Sequence, residues 1–164
     1  MLWKKYYPNK RIRYQGTFKN GKEVGVFKFY DITSSKFPTG IKKYTAANDT
    51  VFVAFYSLKG ILQSKGRMLF RKREGKWVYY FANGNVLSKE NYTNGKLNGT
   101  VINYYPKGNL AEQTDYKNGL KHGISQKYSS KDLLMVEVYY KEGKLTGEVV
   151  TEEEIKNNKK KIKN

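Results

Sequence analysis

Residues 99–122 read GTVINYYPKGNLAEQTDYKNGLKH, and the same phrase begins again at Gly123. It divides into a strand-like run ending at Tyr104-Tyr105, a turn at Pro106-Lys107-Gly108-Asn109, a second run from Leu110 to Tyr116, and a second turn around Asn118-Gly119. Each run has about seven residues, a usual strand length, and the Pro, Gly and Asn at its ends supply preset or positive φ. Outward from this stretch, one column of aromatics marks the period: Tyr6, Tyr30, Phe55, Tyr80, Tyr104 and Tyr128 stand 24, 25, 25, 24 and 24 residues apart. Self-similarity at such a period marks units that bury their apolar faces only against neighbours, so the chain reads as a repeat protein.

Other columns keep the same register. Gly25, Gly75, Gly99, Gly123 and Gly147 occupy one hinge position per unit, and Asn48-Asp49-Thr50 fills the slot where that glycine is missing. Such a glycine predicts a backbone conformation that a Cβ would disfavour, or a close backbone approach. Four residues before each hinge, Asn20-Gly21, Asn94-Gly95 and Asn118-Gly119, echoed by Glu142-Gly143, have the chemistry of tight hairpin turns. Ile12, Leu62, Val86, Leu110 and Leu134, with Phe18, Met68, Tyr92, Tyr116 and Tyr140, would then line up as apolar and aromatic stripes across the hairpins. Residues 31–50 keep the length of a unit but not its pattern, and read as a degenerate unit with a longer loop covering one side of the sheet. The array spans 1–150, and 151–164 is a charged cap and basic tail, with Thr151 and Glu154 at capping-box spacing for a short helix.

The composition suits a thin sheet, because aliphatics are sparse while 15 tyrosines provide rings with a polar tip that can sit half exposed. The formal charge of +18, from 32 Lys and Arg against 14 Asp and Glu, attracts anionic partners. The joint enrichment of Lys, Asn, Ile and Tyr is also the mark of an AT-rich genome. No apolar run reaches the length that spans a bilayer as a helix. Met1 falls where an opening hinge glycine belongs, as in a chain that has lost a preceding segment. The sequence leaves the compartment open: the chain reads as soluble as given, and as cytoplasmic or, if a signal or lipoprotein segment has been removed, envelope-associated.

No catalytic, cofactor-binding or metal-binding residue is expected. His122 is the sole histidine and there is no cysteine, so no Cys-His pair or zinc set can form, and no nucleophile elbow or phosphate loop appears. Phe70-Arg71-Lys72-Arg73 and Trp3-Lys4-Lys5-Tyr6-Tyr7 mix cations with rings as a single-strand binder does. Their rings follow the fold period, however, so packing accounts for them first and specific nucleic-acid binding is not expected. Trp77, Tyr79 and Phe81 alternate with Val78 and Tyr80, which makes the third unit apolar on both faces. With Arg71 and Arg73 nearby, these three are the candidate partner-binding residues, since interface energy concentrates on Trp, Tyr and Arg.

The phrase Tyr-Tyr-x-x-Gly-x-Leu at Tyr104–Leu110, with Tyr-x-Asn-Gly-Lys-x-x-Gly at Tyr92–Gly99, resembles the variant MORN repeat (membrane occupation and recognition nexus). More narrowly, the array is similar to the bacterial YwqK-family antitoxins. The resemblance implies an all-β fold, an elongated single-layer antiparallel sheet of stacked hairpins. About eleven strands at a spacing of roughly 4.8 Å would make it about 50 Å long. It also implies a kink or altered twist at the second unit, which lacks its glycine, and at the fourth, where Ser129-Ser130-Lys131-Asp132 replaces the turn. The expected function is a non-catalytic protein-protein interaction module, an antitoxin or immunity-type binder of an acidic partner. The alternative is a basic repeat scaffold attaching to an envelope or anionic membrane surface.

Overall fold

A computed structural model describes residues 1–34, 36–45, 49–147 and 150–151. The first half of the chain supplies β1 (Leu2–Tyr6), β2 (Ile12–Lys19), β3 (Lys22–Phe29), β4 (Gly40–Tyr44), β5 (Thr50–Tyr56), β6 (Leu62–Leu69) and β7 (Lys72–Tyr80). The second half supplies β8 (Val86–Thr93), β9 (Lys96–Leu97), β10 (Gly99–Tyr104), β11 (Leu110–Lys117), β12 (Leu120–Tyr128), β13 (Leu134–Lys141), β14 (Lys144–Leu145) and β15 (Val150–Thr151). All lie in one open sheet, ordered essentially as they occur in the chain, and neighbours pair antiparallel.

Two kinds of turn alternate along the sheet. At one edge, Asn20-Gly21, Phe70-Arg71, Asn94-Gly95, Asn118-Gly119 and Glu142-Gly143 each have positive φ at both residues, the geometry whose twist matches that of the flanking strands. At the other edge, four-residue turns close with a left-handed residue, Lys10, Gly60, Gly84, Gly108 or Asp132. In each, the amide of that residue donates to the carbonyl three positions earlier, as in Gly108 N to Tyr105 O at 2.8 Å and Asp132 N to Ser129 O at 3.0 Å. The Ser129–Asp132 turn therefore keeps the common geometry, because aspartate tolerates the left-handed region.

The hinge glycines explain the sheet's irregularity. All five have positive φ, between 65° and 101°. Across β2 and β3 the register passes from Gln15↔Lys28 to Thr17↔Val24, so Gly16 alone faces Gly25, Val26 and Phe27. The same step sets Gly66 against Gly75, Lys76 and Trp77, and Asp115 against His122, Gly123 and Ile124. The bulge is what separates β9 from β10 and β14 from β15, so the ladder has more named strands than expected. In the second unit, where no hinge glycine exists, β4 and β5 pair from Gly40↔Phe55 to Tyr44↔Val51 with no shift. Residues 40–44 are thus a strand within the sheet and do not belong to a covering loop. The proposed helix falls beyond Thr151, outside the described residues.

A single layer still builds an interior, on one face. Phe27, Val53, Trp77, Tyr92 and Val101 are buried there, with Ser64, Ser88, Thr114 and Ser125. The two most deeply buried rings each lie over a glycine: a Cβ on Gly16 would overlap the Phe27 ring, and one on Gly66 would overlap Trp77. Phe27 also meets Phe18 edge-on at 5.2 Å and Tyr44 at 5.9 Å between centroids. Toward the C-terminal end the rings give way to short polar side chains, and Thr114 Oγ1 and Ser125 Oγ lie 2.7 Å apart.

Candidate functional site

Of the residues expected to meet a partner, the structure brings Arg73, Trp77 and Tyr79 together on the packed face. Trp77 is only 2% exposed. The three-residue bulge carries its ring over Gly66, its Nε1 donates to the Arg67 carbonyl at 2.9 Å, and Tyr79 stacks beside it at 6.4 Å. Arg73 covers it, with the guanidinium 4.8 Å from the indole centroid and 5.2 Å from that of Tyr92. Arg73 Nη1 donates to Tyr92 Oη at 2.8 Å, and that hydroxyl donates to Glu90 Oε2 at 2.5 Å. Burial, and then the neighbouring Glu90 charge, raise the Tyr79 hydroxyl well above its ordinary range. Tyr92 is raised by burial and by its bond to Glu90. The cluster is satisfied within itself: cation over rings, hydroxyl on carboxylate. Trp77 is part of the sheet's own interior.

Phe81 lies apart from that cluster, at the start of a four-residue turn, where its amide bonds Asn85 O at 2.8 Å. Arg71 lies at the opposite edge, in the turn before the cluster's strand. That turn breaks the pattern of the array. In four other hairpins at this edge the second residue is Gly and the first is Asn or Glu, whereas here Phe70 has φ 46° and Arg71 φ 65°. A side chain in the left-handed region costs about 1–2 kcal/mol, and a bulky one there is an outlier. Phe70 does not recover this by packing, because it is 76% exposed. It stands at the mouth of a cleft of about 620 Å³ that also involves Lys22, Lys42, Tyr44 and Met68.

The opposite face follows a different rule. Directly paired residues share a face, so the register can be read across strands. One row runs Val26, Lys43, Phe52, Arg67, and the next runs Lys28, Ile41, Ala54, Lys65, Val78, Lys89, Ile102. Cations and apolar side chains are interspersed in both, and the first row ends on Glu74, directly opposite Arg67. Around Phe52, which is 52% exposed, they outline an open groove of about 400 Å³. Its floor is Ile41, Ala54 and Val78, its rim is Lys43, Lys65, Arg67 and Lys76, and none of its lining residues is acidic. The row continues through Gln113 and Gln126 to Glu137, so the positive character fades toward the C-terminal end. Tyr139 and Gln126 donate to Glu137, in that order of effect, and hold its carboxyl below the usual carboxylate range.

A family model described as MORN repeat variant matches residues 1–20, 73–94 and 97–118. Each matched segment is a strand, a four-residue turn and a strand, closing at Asn20, Asn94 or Asn118. These three segments are similar to MORN repeats. No curated protein matches the chain. The Phe70-Arg71 turn and Phe52 fall between the first and second matched segments, whereas Lys76 and Val78 of the groove lie in the second. Between those two segments the spacing is kept but the residues are not those of the repeat.

Sequence reasoning missed the groove because Lys43, Lys65, Arg67 and Lys76 are scattered along the chain and only strand register unites them. The Phe70 signal was available, since Phe-Arg stands where other units have Asn-Gly. Among the described residues, no group of three or more His, Cys, Asp or Glu side chains is placed to hold a metal ion. His122 Nδ1 is buried without a hydrogen-bond partner.

Proposed function

We propose that this chain is a non-catalytic binding module that holds an acidic protein partner, with the hairpin edge carrying Phe70 and Arg71 as its anchor. The observation that supports this most is the turn itself: an aromatic and an arginine occupy left-handed positions that the other hairpins give to Asn or Glu and Gly. Among the described residues Phe70 stays 76% exposed, so packing does not offset the strain, and sparsely allowed backbone retained in this way points to a role outside the fold. Phe and Arg are also residue types that interfaces favour, and the adjoining cleft adds Lys22 and Lys42 alongside Glu23 and Asp49. In its narrowest form the partner is a toxin, and the module acts as an antitoxin by covering it.

The test is capture from nuclease-treated lysate of the source organism, comparing the parent chain with Phe70→Ala. Phe70 is exposed, so the substitution leaves the fold intact. One stoichiometric acidic protein retained at moderate salt by the parent and lost by the variant is the expected result. Recovery of only salt-labile lipid, or of a mixture of acidic proteins, would replace this reading with the basic scaffold on an anionic surface.

A further inference from the structure

We propose that the groove around Phe52 is a second, separate contact: it takes an acidic protein segment that carries one bulky apolar side chain. This rests on the reading of the chain as a binding module but concerns the opposite surface from the packed interior. Phe52 sits mid-strand in β5, and its direct cross-strand neighbours are Lys43 and Arg67. Lys65 and Lys76 complete a rim of four cations around an apolar floor, with no acidic residue among the lining.

Two features fix the chemistry of the occupant. Four like charges around one small groove repel each other, with Glu74 opposite Arg67 as the one direct cross-strand carboxylate, and a ligand carrying carboxylates relieves the remaining repulsion. An exposed ring and aliphatic floor gain only if something apolar covers them, so charge alone is an incomplete match. A nucleic acid would satisfy the cations, but its bases stack on successive aromatic platforms, and this groove offers the single ring of Phe52. A headgroup surface would meet the cations and leave the recessed floor uncovered. An apolar side chain flanked by Asp or Glu fills both requirements.

The probe is a short synthetic peptide with one phenylalanine centred among glutamates. Two controls accompany it, one with serine for the phenylalanine and one with glutamine for the glutamates. Binding to the full chain at physiological salt is read by fluorescence anisotropy. The expected result is saturable binding, about tenfold or more weaker for either control peptide. A similar loss is expected for Phe52→Ser and, with the ring retained, for Lys43→Glu/Arg67→Glu. Circular dichroism verifies the fold of both variants, and Lys127→Glu, remote from the groove, retains binding.

Equal binding of the serine peptide, no effect of either groove variant, or no binding at all would overturn the proposal. So would equally tight binding of single-stranded DNA, or of anionic vesicles competing through the same residues. If the peptide fails to bind while the parent chain still captures the protein partner that Phe70→Ala loses, the binding-module reading stands and the groove assignment falls. If the peptide binds as expected and no partner is captured, the converse holds.

Discussion

Gly66 has no Cβ, and the Trp77 ring fills the space one would take. Gly66→Ala should therefore cost about 1–3 kcal/mol through overpacking, although its backbone is ordinary for any residue. Trp77→Ala should cost about 3–5 kcal/mol. In the Trp77→Ala background the Gly66→Ala penalty should nearly vanish, because the atoms it strikes are gone. Urea unfolding of the four proteins measures that coupling. The tyrosines above this pair make a separate prediction. Tyr79 and Tyr92 are raised above their ordinary value of 10.0, so the folded state holds their protons more tightly than the unfolded chain. Their contribution is fully present below pH about 10 and is lost as pH rises through the folded values. Lysine deprotonation changes the net charge in the same range, so the informative quantity is the difference from Tyr79→Phe. The parent's thermal midpoint should fall more steeply than the variant's as pH rises above about 10.

At the level of the hairpin, the hinge glycine was legible as a requirement but not as a shape. Its recurrence four residues after each Asn-Gly predicted a special backbone, and the structure shows what that backbone does: it lets three residues face one and carries rings such as Phe27 and Trp77 over the facing glycine. Gly123 has φ 101°, and a Cβ there would lie 3.2 Å from Asp115 Oδ2. Gly123→Val should thus cost roughly 1–3 kcal/mol, seen as a lower urea midpoint. Because neighbouring units stabilise each other, hydrogen exchange should show the loss concentrated in β11 to β13. The reading of 31–50 as a covering loop missed β4 for a related reason. Without the glycine, β4 and β5 pair in plain register and need no repeat signature, so a strand was hidden in a segment that looked irregular.

Over the whole molecule, the aromatic column and the hairpin punctuation disclosed the architecture, because every unit solves the same packing problem with similar residues. The candidate surfaces were far less legible. Trp77 stood out in the sequence, yet its size is used to build the interior of a one-layer sheet. The groove depends on strand register, which the sequence does not state. What distinguishes this chain from a plain array lies where its units depart from the repeat. The central claim is that the Phe70-Arg71 turn sacrifices stability for contact. Phe70→Asn/Arg71→Gly installs the turn used by the neighbouring units. Thermal midpoint and partner capture, read on the same parent and double-variant proteins, test the claim most directly. Relief of about 1–3 kcal/mol of backbone strain predicts a midpoint about 3–9 °C higher, together with loss of the captured partner. A midpoint that stays level or falls, or capture unchanged in the stabilised protein, would contradict it.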